Sequence, residues 1–216
     1  MFSLIKEKIS NISTIDMTAG KPTKTIVIFA IPLMIGNLFQ QLYNMVDTMV
    51  VGRCIGTNAL ASVGATSPVV QLLIGLIIGL TSGLSLVIAQ KFGAGDTKAT
   101  KKSIINGLYL TIIISIIIMI LGLALNRSLF ELINTSEDII DGALLYSNIL
   151  FIGTLTTAIY NYESAVLRAF GNSLIPLIFL TIAAILNVVL DIFFVVSLNL
   201  GIAGVAIATV LAQLIS

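Results

Sequence analysis

The sequence contains no histidine, a single cysteine and few charges. Without histidine there is no imidazole metal site, no Ser-His hydrolysis and no histidine proton relay. Lone Cys54 makes no internal disulfide and reads as a small apolar filler. Asp, Glu, Lys and Arg make up 10% of the 216 residues, against about 25% in soluble domains. There is no nucleophile–base pair, no Asp-rich metal motif and no phosphate-cradling loop. Gly93-Ala94-Gly95 is too short for one and reads as a turn. An enzyme is therefore not indicated. A net charge of +1, scattered over short loops, gives no hold for nucleic acid.

What remains is apolar. Hydrophobic residues make up 57% of the chain, and they fall in runs long enough to cross a bilayer as helices. The fold class is an all-α polytopic membrane protein. Residues 1–24 are a polar tail. Phe2, Ile5, Ile9 and Ile12 recur there at helical spacing, with Lys6 and Lys8 between them. That pattern suits either a surface-lying amphipathic helix or a frayed end. Residues 25–216 form one six-helix lobe, with helices expected at about 25–51, 60–89, 104–125, 140–160, 174–196 and 200–216.

Charge supports that count. The tail (Lys6, Lys8, Lys21, Lys24), the second connection (Lys91, Lys98, Lys101, Lys102) and the fourth (Arg168) hold all but two of the cationic residues. Arg53 and Arg127 fall on the other side. The positive-inside rule then places the N-terminus in the cytoplasm, in a multi-pass protein of the cell (inner or plasma) membrane. The last helix has only about 17 residues and no cationic anchor, which suggests a fragment of something longer.

Several expectations attach to single elements. Pro32 should bend the first helix. Gly75, Gly79 and Gly83 form small-xxx-small repeats, which suggest close helix packing. The third helix, aliphatic from Thr111 to Leu125, reads as lipid-facing scaffold. Residues 126–141 read as a loop. Glu163 and Arg168 flank the next turn and suit an interfacial ion pair.

The chemistry concentrates on two carboxylates. Asp191 is the one charge between Ile175 and Val196, and a carboxylate at that depth costs roughly 2.5–3.5 kcal/mol. Asn187 lies one turn before it on the same face. In the first helix Asn37, Gln40, Gln41, Asn44 and Asp47 fall within an arc of about 120°. No Lys or Arg lies inside a span to pair with either Asp. Two states are then inexpensive. In one the carboxylate carries a proton; in the other it is ionised and neutralised by a cation such as Na⁺, with amide and hydroxyl oxygens completing the shell. A proton- or sodium-coupled transporter alternates between such states. The plainer alternative has Asp47 ending its helix near the outer surface and Asp191 buried for structural reasons. Tyr146 could reach a carboxylate, or could simply mark an interface.

The motifs resemble those of the multidrug and toxic compound extrusion (MATE) family. The matching stretches are Asn44-Met-Val-Asp47-Thr-Met-Val-Val-Gly52 with Ala59-Leu-Ala-Ser-Val-Gly64, Gln90-Lys-Phe-Gly-Ala-Gly-Asp96, Leu167-Arg-Ala-Phe-Gly-Asn172, Leu186-Asn187-Val-Val-Leu-Asp191 and Gly204-Val-Ala-Ile-Ala-Thr209, in that order. The resemblance implies twelve helices in two lobes, of which this chain is the N-terminal one, the C-terminal lobe or a separate second half being its partner. It implies export of small cationic substrates by antiport against H⁺ or Na⁺, with no organic cofactor. It would place the coupling-ion site on Asp47, Asn187, Asp191 and Thr209, and a supporting network on Gln40, Asn44 and Tyr146. Pro32 would mark a bend linked to protonation. Beyond a possible Na⁺ at that site no metal is expected, and membrane lipid is the surrounding partner. A lipid-linked oligosaccharide flippase, which should line its cavity with cations, and a non-transporting half-protein are the alternatives.

Overall fold

The computed structural model describes residues 22–215. The expected surface helix through Phe2, Ile5, Ile9 and Ile12 lies outside the described residues. Within them the chain is helical throughout, with seven helices and no strand. Helix α1 (Pro22–Val50) runs on into a π-helical turn, Val51–Ile55. Helix α2 (Thr57–Gly93) turns tightly into α3 (Thr97–Leu132). Gly95 supplies the left-handed residue of that turn, at φ +73°, and the Asp96 side chain caps α3 by accepting from the Ala99 N–H at 2.9 Å. Helices α4 (Glu137–Ile152) and α5 (Thr154–Ala169) meet at Gly153 with a bend of 50°. Gly171, at φ +78°, reverses the chain, and the Asn172 side chain accepts from the Ile175 N–H at 3.1 Å to open α6 (Leu174–Ile192). A second π-helical turn, Phe193–Ser197, extends α6, and α7 (Gly201–Ile215) ends the described chain.

Four helices are long and apolar enough to cross a membrane, and α4 with α5 makes a fifth as one broken span. Helix α7 is a shorter apolar helix. Large aliphatic side chains such as Ile113, Ile117, Ile120 and Leu121 on α3 point outward and are exposed. In water such a surface would be a liability; in lipid it is the ordinary outside of a membrane protein.

Two buried clusters hold the lobe together. One joins α2, α3, α4 and α5 through Leu73, Ile77, Phe130, Ala143, Phe151 and Ala158. The other gathers the two π-helical turns, α2, α4 and α7 through Val51, Ala59, Tyr146, Val195, Val205 and Ala206. Helix α1 packs along α6, where Gly36 lets the Leu177 and Leu180 side chains approach.

Four expectations change. The fourth span is two helices rather than one over 140–160. Gly153 is buried, and a methyl group there would collide with the Val210 side chain of α7, so the backbone bends where α7 crosses closest. The expected loop over 126–141 shrinks to residues 133–136, because Asn126 faces inward and its amide is satisfied within the bundle. The glycines at 64, 75, 79 and 83 meet nothing within 4 Å and face outward from the described bundle. The glycines that permit close packing are isolated ones: Gly107 beneath the Tyr162 ring and Gly122 beneath Phe151. Finally, Glu163 and Arg168 form no ion pair. They are five residues apart on α5, about 140° around the helix, with Glu163 exposed and Arg168 turned inward.

Candidate functional site

Most buried polar side chains here are satisfied locally. Thr81 and Thr111 donate to the carbonyls of Ile77 and Gly107, one turn back, at 2.9 and 2.8 Å. Asn126 donates to Ser147 at 2.9 Å and to Asn148 at 2.7 Å, and Ser147 donates on to the Ala143 carbonyl at 2.6 Å. Against that background four buried oxygens lack any donor: Asp47 Oδ1, Asn187 Oδ1 and both carboxylate oxygens of Asp191.

These atoms come from α1 and α6. Asn187 and Asp191 are one turn apart on α6, at 3% and 0% exposure, and Asp47 on α1 is at 8%. The Asp47 and Asp191 carboxylates lie close enough to act on one another's charge. Asn187 directs its Nδ2 to Thr209 Oγ1 on α7 at 3.4 Å, while Thr209 donates to the Val205 carbonyl at 3.0 Å. That arrangement leaves the Asn187 carbonyl oxygen turned away from its own donor. Each carboxylate sits just before a π-helical turn, Asp47 ahead of Val51–Ile55 and Asp191 ahead of Phe193–Ser197, and the two turns lie against each other. Such turns break helical regularity and recur at functional positions.

The remaining expected residues divide. Tyr146 is buried on α4 within electrostatic range of both carboxylates. Gln40 lines a neighbouring cavity together with Tyr43. Asn44 is exposed and joins neither the carboxylate pair nor the cavity wall. Pro32 forms part of that wall, inside a helix that continues past it.

The cavity has a volume of about 350 Å³ and lies between α1, α2, α5, α6 and α7. Asn187 and Thr209 line it, while Asp47 and Asp191 do not. Asn37, Asn161 and Gln213 add amides to its wall. Sequence reasoning gave Arg168, which also lines it, to an interfacial ion pair flanking a turn and so missed its place here. The signal was its place on the hydrophilic face of α5, on which Thr157, Asn161 and Ser164 recur at helical spacing.

Hard, uncharged and anionic oxygens without donors suit a proton or a small hard cation. No group of three or more His, Cys, Asp or Glu that could hold a metal ion is found among the described residues.

Known proteins agree with this architecture. A family model described as MatE matches residues 32–193. The probable multidrug resistance protein YpnP of Bacillus subtilis (strain 168) is 35% identical over 198 residues, which is 92% of this chain and 44% of that protein. The probable multidrug resistance protein YoeA of the same organism is 29% identical over 201 residues, 90% of this chain and 43% of YoeA. The solved structure of a MOP superfamily transporter from Pyrococcus furiosus gives a TM-score of 0.85 at 33% identity, covering 91% of this chain and 43% of that one. The chain thus spans somewhat under half the length of these relatives. The family match begins on α1 at the cavity wall and ends just past Asp191, enclosing both carboxylates, and the chain belongs to the MatE, or multidrug and toxic compound extrusion, family of membrane transporters.

Proposed function

We propose that this lobe holds the coupling-ion site of a drug exporter that works by antiport against H⁺ or Na⁺. The observation that carries the reading is the set of four donorless buried oxygens on Asp47, Asn187 and Asp191. Two carboxylates in contact inside a membrane protein repel one another when both are ionised, and burial multiplies the cost. One proton or one monovalent cation removes most of it. The lobe therefore has two arrangements whose balance depends on ion binding, which is what coupling requires. Thr209 orients Asn187, and Tyr146 closes the site on the α4 side.

The functional unit on this reading pairs the lobe with a second six-helix half, and a small-molecule substrate binds between them. The lysine-rich ends of α2 and α3 face the cytoplasm, in accord with the positive-inside rule. Transport of a lipid-linked oligosaccharide calls for cations in the cavity, and Arg168 supplies one. That reading leaves the carboxylate pair unused, so antiport accounts for more of the structure.

The test is Asp191→Asn in the protein as cells make it, reconstituted in vesicles. An imposed proton or sodium gradient should drive efflux of a cationic dye by the parent protein. The variant should run at the level of empty vesicles. Unchanged efflux by the variant would overturn the proposal, and the gradient that supports the parent identifies the ion.

A further inference from the structure

The cavity carries a charge that ion coupling does not use. No Asp or Glu lines it among the described residues, and Arg168 is its one ionised wall residue. We infer that Arg168 is an anion-binding point, so that the cavity accepts small molecules bearing a carboxylate or phosphate group, zwitterions included. This rests on the reading above only in taking the chain as part of a small-molecule transporter, and it places the substrate's anionic group in this lobe's own cavity.

Several observations converge on it. The Arg168 guanidinium has no ion-pair partner among the described residues. The ion pair found there, Arg127–Glu131, is at the surface, and Glu163 faces away from the cavity. A half-buried guanidinium without a counter-charge is costly in a membrane protein, and a ligand anion offsets that cost. Its planar fork of donors matches the two oxygens of a carboxylate or phosphate. Ser164, one turn before Arg168 on α5, and Ser173, at the start of α6, line the same cavity. Ser173 makes no capping bond with its own side chain, so its hydroxyl is not committed to the helix. It stands at the N-terminus of a 19-residue helix, whose backbone dipole adds positive potential at that end of the cavity. The carboxylates that would oppose an anion, Asp47 and Asp191, do not line the cavity. A volume of about 350 Å³ suits a small organic molecule.

The experiment uses a matched pair of dyes, a rhodamine with a free carboxylate and its methyl ester. Binding to the protein as cells make it is read by fluorescence anisotropy, without any gradient, in vesicles of neutral phosphatidylcholine. Arg168→Gln should weaken binding of the free carboxylate about tenfold, since a charge-assisted hydrogen-bonded pair is lost. The ester should change less than about twofold, and Arg168→Lys should keep part of the preference. Equal loss of both dyes, in the Gln and the Lys variants alike, would assign Arg168 to the fold or to a carboxylate elsewhere in the protein and overturn the inference. So would equal binding of both dyes by the parent. A preference lost on adding anionic lipid to the vesicles would make a lipid headgroup the natural occupant, again overturning it. Because no gradient is applied, the coupling proposal can fail through Asp191→Asn while this result stands, and the reverse.

Discussion

Two sets of buried polar side chains sit in this lobe, and they differ in one respect. Asn126, Ser147 and Asn148 join α3 to α4, where the Asn126 amide and the Ser147 hydroxyl find acceptors, Asn148 Oδ1 among them. Asp47, Asn187 and Asp191 join α1 to α6, and four of their oxygens find no donor. Both sets sit in apolar surroundings and both bridge helices. A satisfied network fixes one arrangement, because breaking it costs the full desolvation of each group. An unsatisfied one has no such commitment until something with positive charge arrives. The difference separates a satisfied network from an unsatisfied one, although the residue types overlap.

The largest test of that contrast is Asp47→Asn. It leaves a hydrogen-bonding group of the same shape but removes a charge, and gradient-driven dye efflux should fall to the level of empty vesicles. Next in size is stability. Asp191→Asn places an amide donor among oxygens that lack one, so the detergent-solubilised protein should become more stable by about 1–3 kcal/mol, measured by thermal unfolding, as it loses transport. A drop in stability would mean that the carboxylates are already satisfied and that the contrast is false. The smallest effect belongs to the satisfied set. Asn126→Ala should cost about 1 kcal/mol, near the modest value typical of polar contacts inside membranes. Transport per folded molecule should be unchanged, and a loss of coupling in that variant would erase the distinction.

The carboxylate site was largely legible in the sequence, for a physical reason. A lone Asp in an apolar span has no bland explanation when no cation lies near, so Asp47 and Asp191 stand out, and Asn187 follows from helical spacing. The structure brings these three together, with Thr209 hydrogen-bonded to Asn187. Asn44 shares the stripe with Asp47 but stays exposed, because a stripe of about 120° is wider than the contact between two helices. Arg168 was misplaced because polar residues near Gly171 look like a turn, whereas α5 continues to Ala169 and rotates Arg168 inward. Asn126 was misplaced for the same reason at the end of α3. The glycines show the limit of pattern. Gly75, Gly79 and Gly83 are regularly spaced and pack against nothing described, while Gly107, Gly122 and Gly153 are irregularly spaced and admit a ring or a branched side chain. Spacing shows which residues share a face; it does not show which face meets a neighbour.

Helix α1 packs mainly on one neighbour. Along its length it leans on α6, and at one end its π-helical turn is gripped by α2 and α7. In mechanical terms it is a lever, pinned at the turn beyond Asp47 and resting on a rail that carries Asp191. A force between those two carboxylates acts one turn from the pin. Beyond it extends a 29-residue arm, about 44 Å at 1.5 Å per residue, with Pro32 ten residues from its far end. On the coupling proposed above, an ion bound at that pair would act at one end of this arm, with the cavity wall at Pro32 toward the other.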